Sequence, residues 1–309
     1  MKLYIGIDTS CYTTSAACID KNKGIVCDLR TVLSVSLGER GLRQSEGVFQ
    51  HVKNLPPLLE RLFDGIDPKD VGAIGVSTRP TDREGSYMPV FLAGAQQARG
   101  LAAVLRVPLF ETEHQRGHIR AALLGNGELW GKEFYAVHLS GGTTEVLAVD
   151  ENLKVHSLGC STDLHAGQFV DRTGVMLGCS FPAGRALEAL ATEARGKDIK
   201  IPSSVRGLTC SFSGAESFAR RCFEGGADKT EVAYAVYDCL LRTLQKLLTN
   251  LFDREGERPV LLCGGVASSG LLKSLLSERF KKELYFSKPA LSSDNAVGVA
   301  YLAMDSTNA

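Results

Sequence analysis

No charge of either sign is in excess in this 309-residue chain, in which 35 Lys and Arg stand against 35 Asp and Glu. A domain that holds nucleic acid by itself usually carries a basic surplus that releases phosphate counterions, so a tRNA- or DNA-directed role needs a local patch or a partner. No uninterrupted apolar run approaches the roughly 18 residues of a membrane-spanning helix. The opening MKLYIGIDTS enters a strand pattern without the apolar stretch and small-residue cleavage site of a secretion signal. The nine cysteines are an odd number and show no CxxC pairs or zinc-knuckle spacing, which disfavours a disulfide framework and leaves most of them as small core residues. No GxxxxGK[ST] loop occurs, so a Walker-type phosphate site is excluded. With 44% hydrophobic and 23% charged residues, disorder, collagen and coiled coil are disfavoured as well. These absences describe a soluble chain of a reducing, cytoplasmic compartment with no membrane partner.

What is present is an alternation of strand and helix patterns. Leu3–Ile7 and Thr14–Ile19 read as strands around a polar turn, and Tyr135–Leu139 and Glu145–Val149 repeat that grammar around Ser140-Gly141-Gly142-Thr143-Thr144. A further strand pattern follows each pair, at 24–29 and 153–158. Two such beginnings about half a chain apart suggest duplicated lobes. Helical spacing covers 48–62, 93–105, 113–124, 181–195, 229–252 and 270–280, and buried-type strands cover 71–77, 107–111 and 259–263. The fold class is therefore α/β, with ligands expected at loops beyond strand ends.

Several residue groups invite chemistry. His114 and His118 are four apart on a predicted helix, the spacing that offers two imidazoles to one metal. Two solvated or capping histidines fit the same spacing. Gln115 stands where a zinc peptidase carries its Glu base, which disfavours hydrolysis. The glycine turns at 140–144 and 264–266 let backbone N–H groups approach an anion or a flat base, or serve only as tight turns. Asp8, before Thr9 and Ser10, orients a nucleotide's magnesium or caps a turn. Asp171 reaches a ribose or sits in a surface pair with Arg172. Asp294 caps the following apolar helix or completes a metal site.

Taken in order, Ile5-Gly6-Ile7-Asp8-Thr9-Ser10-Cys11, His114 with His118, Ser140 to Thr143, Gly167 through Gly184, Ser211-Phe212-Ser213-Gly214, Cys263 to Val266 and Asp294-Asn295 resemble the TsaD/Kae-type family, also called glycoprotease-like or Gcp, of the actin-like ATPase (ASKHA) superfamily. The resemblance implies two actin-like lobes around a nucleotide cleft, the first at 1–108 plus 288–309 and the second at 109–287. It implies one divalent or ferric ion, iron or zinc, on His114, His118 and Asp294. It also implies an ATP- or AMP-type nucleotide or threonylcarbamoyl-adenylate, with magnesium, at His138, Leu139, Ser140, Gly141, Gly142, Asp171, Gly184, Gly264, Gly265 and Ser269. The implied reaction moves a threonylcarbamoyl group to adenosine 37 of tRNA, with Asp8 and Ser10 as the candidate catalytic side chains and tRNA and a TsaB-like actin-fold subunit or a second copy as partners. Basic residues for a tRNA are few and dispersed: Arg40 and Arg43, Arg116 and Arg120, Arg220 and Arg221, and 279–282.

The chain also departs from the family pattern. Tyr12 and Thr13 replace two acidic residues, Thr143 a His, Gln168 a Glu and Ser269 an Asn, while Cys160 stands where relatives often carry Glu. Retained metal ligands beside altered polar groups describe a paralogue with changed chemistry. A catalytically silent binding or scaffolding subunit is the second reading, and a peptidase is the third.

Overall fold

The computed structural model describes residues 2–10, 12–22, 24–35, 42–196 and 198–308. Cys11 and Arg40 lie outside the described residues. The chain forms two compact units, 1–124 with 293–309 and 125–292.

The first unit is built on β1 (Leu3–Asp8), β2 (Thr13–Asp20), β3 (Ile25–Val32), β4 (Val71–Arg79) and β5 (Leu109–Glu113), in the order β3-β2-β1-β4-β5. β1, β2 and β3 form an antiparallel meander, and β4 and β5 add to β1 in parallel. Successive side chains of a strand point to opposite faces. Leu3, Ile5 and Ile7 accordingly pack with Leu55, Leu58 and Leu62 of α1 (Gln44–Asp64) and with Ala98 and Ala102 of α2 (Phe91–Leu105). That burial carries α1 through Pro56 and Pro57, each of which removes a helical hydrogen bond. α3 (His114–Ala122) directly continues β5.

The second unit repeats the plan. β6 (Phe134–Leu139), β7 (Thr144–Val149) and β8 (Val155–Cys160) form the meander, and β11 (Val260–Cys263) and β12 (Leu284–Phe286) extend it in parallel, giving the order β12-β11-β6-β7-β8. Around this sheet lie α4 (Ala166–Met176), α5 (Gly184–Thr192), the ribbon β9 (Ser204–Arg206) and β10 (Thr209–Ser211), α6 (Ser213–Glu224), α7 (Lys229–Glu255), α8 (Gly270–Arg279) and the short α9 (Pro289–Ser292). α7 runs through the core on Val232, Val236, Leu240, Leu244, Leu247 and Leu251, all buried. α10 (Val297–Asn308) returns the chain to the first unit. The two identical strand plans are the duplication suggested by the paired turns.

Three expectations shift. The first unit reaches Leu124 rather than 108, because β5 hydrogen-bonds to β4 and α3 packs on α10. The second unit extends to Ser292 rather than 287, since β12 and α9 stay with β11. The helix expected at 181–195 starts only at Gly184, after a cis Phe181-Pro182 bond. The eight described cysteines are free thiols. Among the described residues no helix is long and apolar enough to cross a membrane.

Candidate metal and nucleotide sites

Strand ends and one helix start gather the polar groups of the first unit. Asp8 ends β1, Ser77 lies near the end of β4, and His114 opens α3 where β5 stops. His118 follows one turn later on the same face. Asp294 stands before α10, and its neighbour Asn295, not Asp294, caps that helix by accepting the Val297 N–H at 3.1 Å. Asp294 is thereby free to turn to the histidines, and the capping reading for it is corrected. Its Oδ1 lies 3.2 Å from His118 Nε2 and 3.6 Å from His114 Nε2, and the two Nε2 atoms are 3.0 Å apart. Ligands held at about 2.0–2.2 Å on one first-row ion stand roughly 2.8–3.6 Å from each other between octahedral and tetrahedral angles, so the three donors fit such an ion. They are the one such group among the described residues.

Electrostatics follow from this crowding. Burial opposes ionisation of Asp294, but hydrogen bonds from His114 and His118 and their charge hold its carboxyl well below the usual range. Burial also disfavours a charged His114, yet the Asp8 charge and hydrogen bonds to Asp294 and Asp8 push it up to about 10. His118 is pushed down by burial and by the charge on His114. Asp8 neither caps a turn nor stands open to magnesium. It is fully buried, receives the Ser10 hydroxyl at 2.7 Å and the Ser77 hydroxyl, and meets His114 Nδ1. Ser10 is thus a brace of Asp8. Gln115, in the place of a peptidase base, is buried on α3.

In the second unit, the turn after β6 is closed by Ser140, whose Oγ accepts the N–H groups of Gly142 at 3.3 Å and Thr143 at 3.0 Å. The start of α4 seats on it through the Gly167 N–H, which donates to the Ser140 carbonyl at 3.0 Å. A Cβ at Gly167 would sit 2.5 Å from the Gly141 nitrogen, so only glycine allows this approach. Gly264 has φ +93° and would drive a Cβ to 2.4 Å from the Leu139 carbonyl oxygen. His138, Leu139, Ser140, Gly141, Gly142, Gly264 and Gly265 are therefore one cluster at the ends of β6 and β11. Open space stands over Gly141 and Gly265.

Asp171 and Gly184 both act at the start of α5. The Asp171 carboxylate accepts the Ala183 N–H at 2.8 Å and so caps the start of α5, while Arg172 pairs with Glu216 at 3.3 Å. The Gly184 carbonyl accepts the Tyr237 hydroxyl at 3.2 Å, while Ser269 is the N-cap of α8. Tyr237 went unnoticed in the sequence because it lies inside the apolar helix pattern of α7. Asp163 was missed too. It accepts the N–H groups of Phe212 at 2.8 Å and Ser213 at 3.2 Å, and thereby fixes the start of α6.

The altered residues divide by environment. Gln168 accepts the His165 N–H at 3.1 Å, and Ser269 accepts the Leu272 N–H at 3.2 Å. Both are caps, for which Gln serves as well as Glu and Ser as well as Asn. Thr13 is buried in β2. Of the basic residues, Arg120 is buried against Asp305 at 2.6 Å and is withdrawn from any tRNA role, and Arg220 pairs with Glu216 at 3.0 Å.

Known structures share this plan at low identity. The (R)-2-hydroxyglutaryl-CoA dehydratase component A of Acidaminococcus fermentans is similar over 100% of both chains, with a TM-score of 0.64 and 14% identity. A ROK family glucokinase from Streptomyces griseus, solved with glucose and AMPPNP, is similar over 98% of this chain and 99% of its own, at 0.56 and 13%. HypF of T. kodakarensis is similar over 99% of this chain and 48% of its own, at 0.62 and 14%. The fold is that of the actin-like ATPases (ASKHA). A family model matches from 44 to 301, a range that holds His114, His118, Asp294 and every residue of the second-unit cluster, and the chain belongs to the family it describes, TsaD, tRNA N6-adenosine threonylcarbamoyltransferase.

Proposed function

We propose that the chain transfers a threonylcarbamoyl group from its adenylate to N6 of tRNA adenosine 37. The observation that carries this reading is the convergence of His114, His118 and Asp294, three donors at the mutual spacing of ligands on one ion. A metal held there supplies Lewis-acid charge for a carbonyl or phosphate oxygen. The Ser140 turn and the open space over Gly141 and Gly265 suit a nucleotide's phosphate and base. Asp171 and Tyr237 hold the start of α5 and Ser269 holds the start of α8 beside them. In the transfer the adenine N6 amine forms a bond to the carbamoyl carbon and gives up one proton, the bond from that carbon to the phosphate oxygen breaks, and AMP leaves with the bonding pair. The protein's part is positioning and charge stabilisation.

Phe49 and Val52 on α1 and Leu92 and Val104 on α2 are exposed, an apolar character that suits an actin-fold partner of the TsaB kind or a second copy. Iron and zinc both match the donor set of two imidazoles and one carboxylate.

One observation favours a second reading. No carboxylate stands at Tyr12 and Thr13, and a nucleotide-binding subunit without transfer activity fits that loss. Incubation with synthase-made threonylcarbamoyl-adenylate, unmodified tRNA and the partner subunits separates the two. The transferase reading expects modified nucleoside from the wild type and none from His114→Ala. Adenylate binding without product in every combination establishes the second.

A further inference from the structure

The metal reading leaves one buried group unused. Asp8 lies on the Nδ1 side of the His114 ring, with its oxygens 3.2 and 3.1 Å from that nitrogen, while the ring's Nε2 is the atom that meets His118 and Asp294. The imidazole stands between Asp8 and the donor cluster, so Asp8 is not a fourth ligand of the same ion. Its two oxygens are instead held by hydroxyls, Ser77 on Oδ1 and Ser10 on Oδ2 at 2.7 Å. Asp8 and Ser77 belong to the paired strands β1 and β4, and Asp8, Ser10 and Ser77 are all fully buried. An ionised carboxylate only accepts hydrogen bonds, so the ring nitrogen facing it must carry hydrogen.

We propose that Asp8, braced by Ser10 and Ser77, is a positioning residue of the metal centre: it holds the His114 ring and keeps its proton on Nδ1, so that Nε2 offers a lone pair to the ion shared with His118 and Asp294. The proposal rests on the metal reading above. Carboxylates in this relation fix the tautomer and ring orientation of a ligating histidine and raise its basicity, and their loss typically costs about 10–100-fold in metal affinity.

Cobalt(II) titration of the full-length chain, followed by d–d absorption and by chelator competition, tests it. Asp8→Asn keeps the size and one acceptor oxygen but removes the charge. It is expected to weaken Co2+ binding about tenfold and to shift the d–d bands, with one ion still bound per chain. Asp8→Ala removes the acceptor as well and is expected to weaken binding about 100-fold. A purely structural role for Asp8 would lower the thermal midpoint without moving the d–d bands. Should Asp8→Ala fail to fold, Asp8→Asn carries the comparison. Co2+ affinity within twofold of wild type in Asp8→Asn, while His114→Ala binds none, overturns the role of Asp8 alone. Wild-type affinity in His114→Ala overturns the metal reading and this proposal with it.

Discussion

Gly298 meets Gly117 backbone to backbone: a Cβ on Gly298 would fall 1.9 Å from the Gly117 carbonyl oxygen. α10 and α3 touch there without intervening side chains, and the same two elements carry Asp294 at the mouth of one and His114 and His118 on the other. Close packing of two helices is thus what brings the carboxylate to the imidazoles.

Gly298→Ala is therefore expected to force α10 from α3 and to lower stability by about 1–3 kcal/mol, the usual cost of overpacking a filled site. Metal binding should weaken with it, because Asp294 moves away from His118. Chemical denaturation and metal titration of the variant check both effects, and unchanged values in each would show that the contact has no part in the site.

Metal added to the wild type should raise its thermal midpoint, since an ion that binds only the folded state stabilises it in proportion to the logarithm of its concentration over Kd. His118→Ala and Asp294→Ala each remove one of three donors and should abolish the shift. A shift that survives in both variants would place the ion elsewhere.

His51 offers a pH readout away from the ligands. It is fully buried, bonds Thr14 Oγ1 through Nδ1 at 2.8 Å, and has no partner at Nε2. Burial pushes it down to about 4, against the opposing charges of Asp8 and Asp294. Between the unfolded value near 6.5 and about 4 the unfolded chain binds the extra proton, so stability is full above pH 6.5 and falls as the pH drops towards 4. The loss attributable to this group is of order 2–3 kcal/mol. His51→Asn should flatten that part of the profile, and an unaltered slope in urea unfolding between pH 4 and 6.5 would assign the acid sensitivity to other groups.

Gly167→Ala drives a methyl into the Ser140-Gly141 backbone. The start of α4 must lift from the turn, and AMP or ATP binding measured calorimetrically should fall at least tenfold, about 1.4 kcal/mol. Wild-type affinity would mean that the turn does not hold the nucleotide.

Gln168→Glu and Ser269→Asn restore the family's usual residues at two caps. Neither is expected to change stability by more than about 0.5 kcal/mol, because the accepting oxygen is kept. A large gain in nucleotide affinity from either would reveal a contact with ligand in place of the cap.

Much of this molecule was legible from its residues alone. The short continuous apolar runs before Asp8 and Ser140 marked the strands and suggested their duplication, and the i, i+4 pair of His114 and His118 placed two donors on one helix face, because these relations depend only on local sequence pattern. The family motifs assigned Asp294 to a metal and the glycine turns to a nucleotide. Other relations join residues far apart in the chain, and spacing does not encode them. Only the packed structure made Asn295 rather than Asp294 the helix cap, set Asp8 behind His114, turned Asp171 to the start of α5, and drew Tyr237 from an apolar helix to Gly184. It also buried Arg120 against Asp305. Hydrogen-bond partners and burial are decided by which strands pair and where helices touch, and so the sequence named the chemical groups while the tertiary structure assigned their partners.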